Sequence, residues 1–182
     1  AMNLTEAGAS TGANPSPAVI DARGGLLARA FVEPHLHPDK SFSLSELPPD
    51  EALSLDHFSR AARIKAGFTR EQVARRARRA FELAVSNGVT RLRANIDIDS
   101  IAALRGFEGV LEAREAVAGI LDVDLVAFPQ EGLARDPAAY DLLREALGSG
   151  ADLIGGWPNV EAGEEAQRAH VALLRQQAVL GP

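Results

Sequence analysis

Two histidines spaced two residues apart, His35 and His37, are the side chains best placed to do chemistry. In an extended strand, residues i and i+2 point to the same face. Two imidazoles at a strand end can therefore share one metal ion, with Zn–N distances of about 2.0–2.1 Å. Zinc, iron or manganese suits nitrogen ligands of this kind. The alternative is a structural or superficial pair. Asp39 and Lys40 follow at once, and taken by themselves read as a surface ion pair. The other two histidines, His57 and His170, fall in helical stretches and read as surface or helix residues rather than ligands. The chain of 182 residues has no cysteine, which excludes thiolate ligands, cysteine nucleophiles and disulfides.

The elements that must position the pair follow from periodicity. Residues 1–17 are small and polar without period, and read as disordered. Residues 18–29 read as two short strands about a Gly24-Gly25 turn. A strand from Ala30 leads into His35, and residues 38–50 read as a loop. Helical patterns follow at 51–66 and at 69–87, the second opened by Thr69 with Gln72 as its capping-box partner. Val73, Ala77, Phe81, Ala84 and Val85 share one helical face. Asn87-Gly88 ends that helix. Val89–Ile98, Ile120–Phe128 and Ala151–Gly155 read as strands. Helices are expected at 101–118, at 136–148 with Asp136-Pro137 as its start, and at about 161–178. The alternating order predicts an α/β fold with a parallel sheet covered by helices. Residues 30–182 hold about four βα units, and 182 residues are too few for a full eight-stranded barrel of ~250 residues.

Composition excludes several classes of function. The net charge of −6 gives no general attraction for nucleic acid. Ten of the nineteen Lys and Arg lie between Arg60 and Arg93. Arg75, Arg76, Arg78 and Arg79 read as the solvated side of an amphipathic helix. No apolar run approaches ~18–20 residues, so no membrane span is expected. No secretory pattern opens the chain, and the cytoplasm is the expected compartment.

Four stretches carry a family likeness: Glu33-Pro34-His35-Leu36-His37-Pro38-Asp39-Lys40-Ser41-Phe42, Arg91–Asp99, Val126–Gly132 and Gly150–Gly156. With the preceding Val19-Ile20-Asp21-Ala22-Arg23-Gly24-Gly25-Leu26-Leu27, the chain resembles the amidohydrolase superfamily. The likeness is closest to the cytosine deaminase-like branch, which includes the triazine-ring amidohydrolases, and it covers roughly residues 18–160. It implies about half of a TIM-like α/β barrel, behind a remnant (18–29) of a small β-sandwich. His35 and His37 would be the first two ligands of one divalent ion, zinc or iron. Gln130 would pair with the ring amide of a small nitrogen heterocycle, since a glutamine amide both donates and accepts. Asn95, standing where the family has histidine, would line the same site.

The resemblance implies a metal-dependent hydrolase of non-peptide C–N bonds, deaminating cytosine-like or aminotriazine-like rings. The family's later metal ligands and its catalytic Glu have no counterpart here, and no catalytic residue is assigned. Asp97, Asp99 and Glu131 could point inward, but no spacing promotes one of them to that role. Arg29-Ala30 and Pro38 also depart from the family pattern. A half barrel would expose two sheet edges and an apolar inner face. It is expected to form a homo-oligomer or to join a missing second half. The alternative is a non-catalytic homologue serving as a binding or assembly module.

Overall fold

The computed structural model describes residues 21–180. The elements in order are β1 (Phe31–Leu36), α1 (Pro49–Ser54), α2 (His57–Ala66), α3 (Arg70–Ser86), β2 (Val89–Asp97) and α4 (Arg105–Ala116). They continue with β3 (Asp122–Phe128), α5 (Ala139–Gly148), β4 (Leu153–Ile154) and α6 (Glu164–Leu180). Single 3-10 turns lie at Ser43–Glu46 and Pro158–Val160. The four strands form one parallel sheet in the order β1-β2-β3-β4. Each crossover adds its strand beside the last, which is the winding of a barrel wall rather than a doubly wound sheet.

Strand alternation divides the sheet chemically. Leu92, Ala94 and Ile96 of β2 and Leu125 and Ala127 of β3 are fully buried. They meet Val73 and Phe81 of α3 and Phe107 and Val110 of α4, and this layer is the core. Thr69 caps α3 as its sequence predicts, accepting from the Gln72 backbone N–H at 3.3 Å. Helices α3 and α4 approach closely at Gly109. A Cβ there would lie 2.7 Å from the Arg70 carbonyl oxygen and 2.7 Å from Val73 Cβ. Gly109→Ala is therefore expected to cost about 1–3 kcal/mol by forcing the helices apart. A lowered urea midpoint would show it, and an unchanged one would contradict the packing.

The opposite face differs from expectation. It is not an apolar interior toward the strands' N-terminal ends. Arg91 Nη2 lies 3.3 Å from Asp124 Oδ1, Arg91 Nε 3.8 Å from Asp122 Oδ2, and Arg93 Nη2 3.9 Å from Asp124 Oδ2. Cross-strand ion pairs thus cover the half of β2 and β3 far from the histidines. Only near the C-terminal ends does this face become mixed, with Asn95, Val126 and Phe128.

Other corrections are local. Ala22–Gly25 is the expected turn, with Gly24 at φ 80 and the Gly25 N–H donating to the Ala22 carbonyl at 2.8 Å. Residues 26–30 form no strand, so the second half of the expected sandwich remnant is absent among the described residues. Residues 18–20 and the stretch 1–17 lie outside the described residues. The helix expected over 51–66 is two helices, because the Asp56 carboxylate accepts from the Phe58 and Ser59 N–H groups and starts α2 afresh. Arg76 is buried rather than solvated. Its guanidinium lies 4.5 Å from the centre of the Phe68 ring and donates to Glu46 at 2.6 Å. Among the described residues no helix is long and apolar enough to cross a membrane.

Candidate metal centre and its cavity

Strand β1 ends at Leu36, so His35 lies in its last turn of pleat and His37 just beyond. The pairing with β2 slips between Glu33 and Leu36, where Pro34 stands. The two imidazole rings lie 5.0 Å apart, centre to centre. Asn95 on β2 places its side-chain nitrogen 3.0 Å from His35 Nδ1. An amide N–H can only donate, so His35 Nδ1 accepts and Nε2 is the nitrogen left for a proton or a metal.

His37 leads into a buried charge cluster. Its Nδ1 is 3.4 Å from Asp97 Oδ1. Lys40 also holds Asp97 Oδ1. Asp39 Oδ2 accepts from the Asp97 backbone N–H at 3.2 Å. Lys65, on α2, is wholly buried. Its ammonium donates to Asp99 Oδ2 and Glu131 Oε1, each at 2.6 Å, and stands 3.2 Å from Asp97 Oδ2. Burial opposes the Lys65 charge, yet the Asp97 and Asp99 carboxylates outweigh it and hold the ammonium pKa above the ordinary lysine value. Burial likewise opposes ionisation of Asp97. His37, Lys40 and Lys65 overcome it and hold that carboxyl well below its usual range. Asp39 goes the other way, pushed up by burial.

Two features bear on whether these groups fit a metal. One ligand atom each of His37, Asp39 and Asp97 lies within 4.8 Å of the others. Buried Asp39 Oδ1 and His37 Nδ1 complete no hydrogen bond. Two imidazoles on one tetrahedral ion, with Zn–N of about 2.0–2.1 Å, would have ring centres about 5 Å apart, as His35 and His37 do. The donor set of imidazole nitrogen and carboxylate oxygen suits a divalent ion such as zinc or iron.

The histidines open on a cavity of about 300 Å³ walled by His35, His37, His57, Phe128, Gln130 and Trp157. Phe128, the last residue of β3, sets its ring centre 5.7 Å from that of His37. Trp157 stacks on Phe58 of α2 at 5.6 Å with planes inclined by 19°. The expected His35, His37 and Gln130 thus meet around one space. Asn95 is buried and engaged by His35, behind the cavity wall. His57 is exposed at the start of α2, as read, but also joins the wall. His170 is not at the surface. It is buried on α6 with Nδ1 2.8 Å from Glu161 Oε1. Asp39 and Lys40 are not an isolated surface pair, since Asp39 is buried and Lys40 serves Asp97.

Sequence reasoning missed Lys65 and Trp157. A signal existed for the lysine: it stands three and four residues after Ala62 and Ala61, on the helical spacing of the inward face. Trp157 carried none.

The Glu161–His170 pair braces the loop that carries Gln130. Glu161 Oε1 also accepts from the Leu133 N–H at 2.6 Å and the Ala134 N–H at 3.0 Å. Burial raises the Glu161 pKa, but His170 and the two amides outweigh it and leave it below the ordinary 4.5. A depressed carboxyl pKa stabilises above the unfolded value and loses that contribution as pH falls through the folded value. Glu161→Gln should therefore be less stable than the parent by about 1–3 kcal/mol at pH 7. The gap should hold down to about pH 5 and close below pH 4.5. Urea midpoints across pH 3–7 measure it, and a gap independent of pH would contradict the assignment.

No family model matches the chain. N-isopropylammelide isopropyl amidohydrolase of Pseudomonas sp. (strain ADP) is 34% identical over 143 residues, which are 75% of this chain and 35% of that protein. The crystal structure of 5-methylcytosine deaminase from Klebsiella pneumoniae with 5-fluorocytosine superposes with a TM-score of 0.74 at 28% identity, over 83% of this chain and 37% of that one. The structure of N-isopropylammelide isopropylaminohydrolase from Burkholderia multivorans gives a TM-score of 0.71 at 30% identity, over 83% of this chain and 38% of that one. The chain spans a little over a third of the length of the relatives it matches. Over the matched residues, its strand winding and the histidine pair at the end of β1 accompany a likeness to the amidohydrolase superfamily, in its cytosine deaminase-like branch.

Proposed function

We propose that this chain forms the metal-holding and ring-holding part of a hydrolase that cleaves exocyclic C–N bonds of small nitrogen heterocycles. The observation that carries the reading is the convergence of His35, His37 and Gln130 on one cavity. A divalent ion, zinc or iron, when bound, lowers the pKa of its water toward about 7 and so supplies a nucleophile at neutral pH. His35 and His37 would hold that ion. Asn95 fixes the His35 ring by donating to Nδ1, as partners behind metal-bound histidines do. Gln130 pairs with an N–C=O edge of the ring, accepting and donating side by side. Phe128 and Trp157 present aromatic surface to a flat substrate and keep water from it.

Glu131 stands next to Gln130 but is bound to Lys65, so it is not free to carry the proton that the leaving amine needs. In this reading the remaining ligands and the proton carrier come from beyond the described residues, from a second copy of the chain or from further polypeptide. The test is metal analysis of chain expressed with zinc or iron in the medium, together with ammonia or amine release from cytosine and aminotriazines. Close to one equivalent of metal, lost in His37→Ala, is the expected result. Metal-free chain that also releases no amine would overturn the reading.

A further inference from the structure

Each histidine of the pair turns one nitrogen away from the cavity, and those two nitrogens meet partners of opposite kind. His35 Nδ1 faces the donating amide of Asn95 at 3.0 Å. His37 Nδ1 is buried and lies 3.4 Å from Asp97 Oδ1. Among the described residues Asp97 is the only carboxylate paired with His37. The His37 ring lines the cavity. With Nδ1 buried behind it, Nε2 is the nitrogen that the cavity can reach.

Asp97 is itself fixed from three sides. It is the last residue of β2 and is wholly buried. Lys40 holds Oδ1, Lys65 of α2 stands 3.2 Å from Oδ2, and the Asp97 backbone N–H donates to Asp39 Oδ2 at 3.2 Å. A carboxylate between two ammonium groups can only accept. Lys40 already occupies the oxygen that faces His37, which argues for Asp97 as a partner of the ring rather than of an ion. The carboxylate suits His37 Nδ1 only if that nitrogen carries the imidazole proton, and Nε2 then keeps its lone pair. The present separation is just beyond the about 2.7–3.2 Å of a completed N–H···O bond, so a small ring rotation closes it. We infer that Asp97 is the positioning residue of His37: it holds the Nδ1 proton and keeps Nε2 bare and turned to the cavity for a divalent ion. This rests on the function proposed above and adds the residue that prepares its second histidine. One carboxylate thus joins His37 to Lys65, and so to α2, whose His57 walls the same cavity.

Two measurements on the full chain test this role. In isotope-labelled, metal-free chain at about pH 8, above the ordinary histidine pKa, long-range proton–nitrogen NMR correlations report which ring nitrogen carries the proton. His37 is expected to carry it on Nδ1. In Asp97→Ala that single tautomer should give way to a mixture. Lys65 keeps Asp99 and Glu131 in this variant, and Lys40 reaches solvent, so it is expected to fold. The second measurement is zinc affinity, by competition with a chromophoric chelator. Asp97→Ala should bind about 10–100-fold more weakly than the parent, the usual worth of a partner behind a metal ligand. Gly109→Ala, at the α3–α4 contact outside the cluster, should bind zinc as the parent does, which separates lost orientation from lost stability. Equal affinity in parent and Asp97→Ala, or an equal loss in both variants, overturns the inference and leaves the proposed function standing. A His37 proton on Nε2 in the parent overturns it without any variant. A parent that takes up no zinc overturns the proposed function, and this role with it.

Discussion

Lys65→Met is expected to destabilise the fold by about 3–5 kcal/mol, more than any other single substitution of a charged residue in the described chain. The ammonium is wholly buried and is the counterion of three carboxylates, Asp97 at the end of β2, Asp99 just beyond it and Glu131 just beyond β3. Removing it leaves Asp99 and Glu131 without their cation and Asp97 with Lys40 alone. Methionine matches the stem in length, so the cost reports lost charge compensation rather than a cavity. Denaturant midpoints measure it. The triple substitution Lys65→Met, Asp99→Asn, Glu131→Gln should recover much of the loss, because two carboxylates are neutralised with their cation and Asp97 keeps Lys40. A single Lys65→Met as stable as the parent would refute the role of this lysine in joining α2 to the strand ends.

His37→Ala is expected to lower zinc affinity by more than about 100-fold, the cost already seen when only a supporting partner of a metal ligand is lost. His35→Ala should behave alike, and Asn95→Ala should cost about 10–100-fold through the freed His35 ring. A ligand that binds only the folded state adds about 2.7 kcal/mol of stability at one hundred times its Kd. The zinc-dependent rise in Tm should therefore vanish in His37→Ala while the metal-free Tm stays near the parent's. If both single alanine variants keep the full zinc-dependent shift, the histidines are not the ligands.

Much of the architecture was legible because it is set locally. β2, β3 and α3 show clean period-2 or helical apolar patterns, and their bounds agree with the structure to within a residue or two. The family likeness pointed to His35, His37 and Gln130, and all three line one cavity at the strand ends. What was not legible depends on long-range partners. Helix α4 begins at Arg105, later than its pattern, because Asp99 Oδ1 takes the Ile101 and Ala102 N–H groups into a turn first. Asp136 was read as the cap of α5, but its carboxylate accepts from the distant Ser100 N–H at 2.6 Å. Arg76 was read as solvated, and Lys65 drew no reading, because lysine and arginine usually lie at the surface. Their burial is visible only once Asp97, Asp99, Glu131 and Glu46 arrive from elsewhere in the chain. The ion pairs of Arg91 and Arg93 with β3 were hidden for the same reason: cross-strand neighbours exist only after the register is set.

The two edges of the sheet are unequal, and this gives the molecule a polarity in how it can polymerise. At one end β4 is two residues long, too short to template another chain. At the other, β1 runs for six residues with Phe31 67% and Val32 60% exposed, and no strand lies beyond it among the described residues. Pro34 sits midway along this edge and has no N–H to offer an incoming strand. An added strand could pair with Phe31 and Val32, but would lose the ladder at Pro34, just before the histidines. Pro34 thus acts as a gatekeeper. It confines any runaway strand addition to the foot of the sheet and keeps fibril-like growth away from the rim that carries His35 and His37.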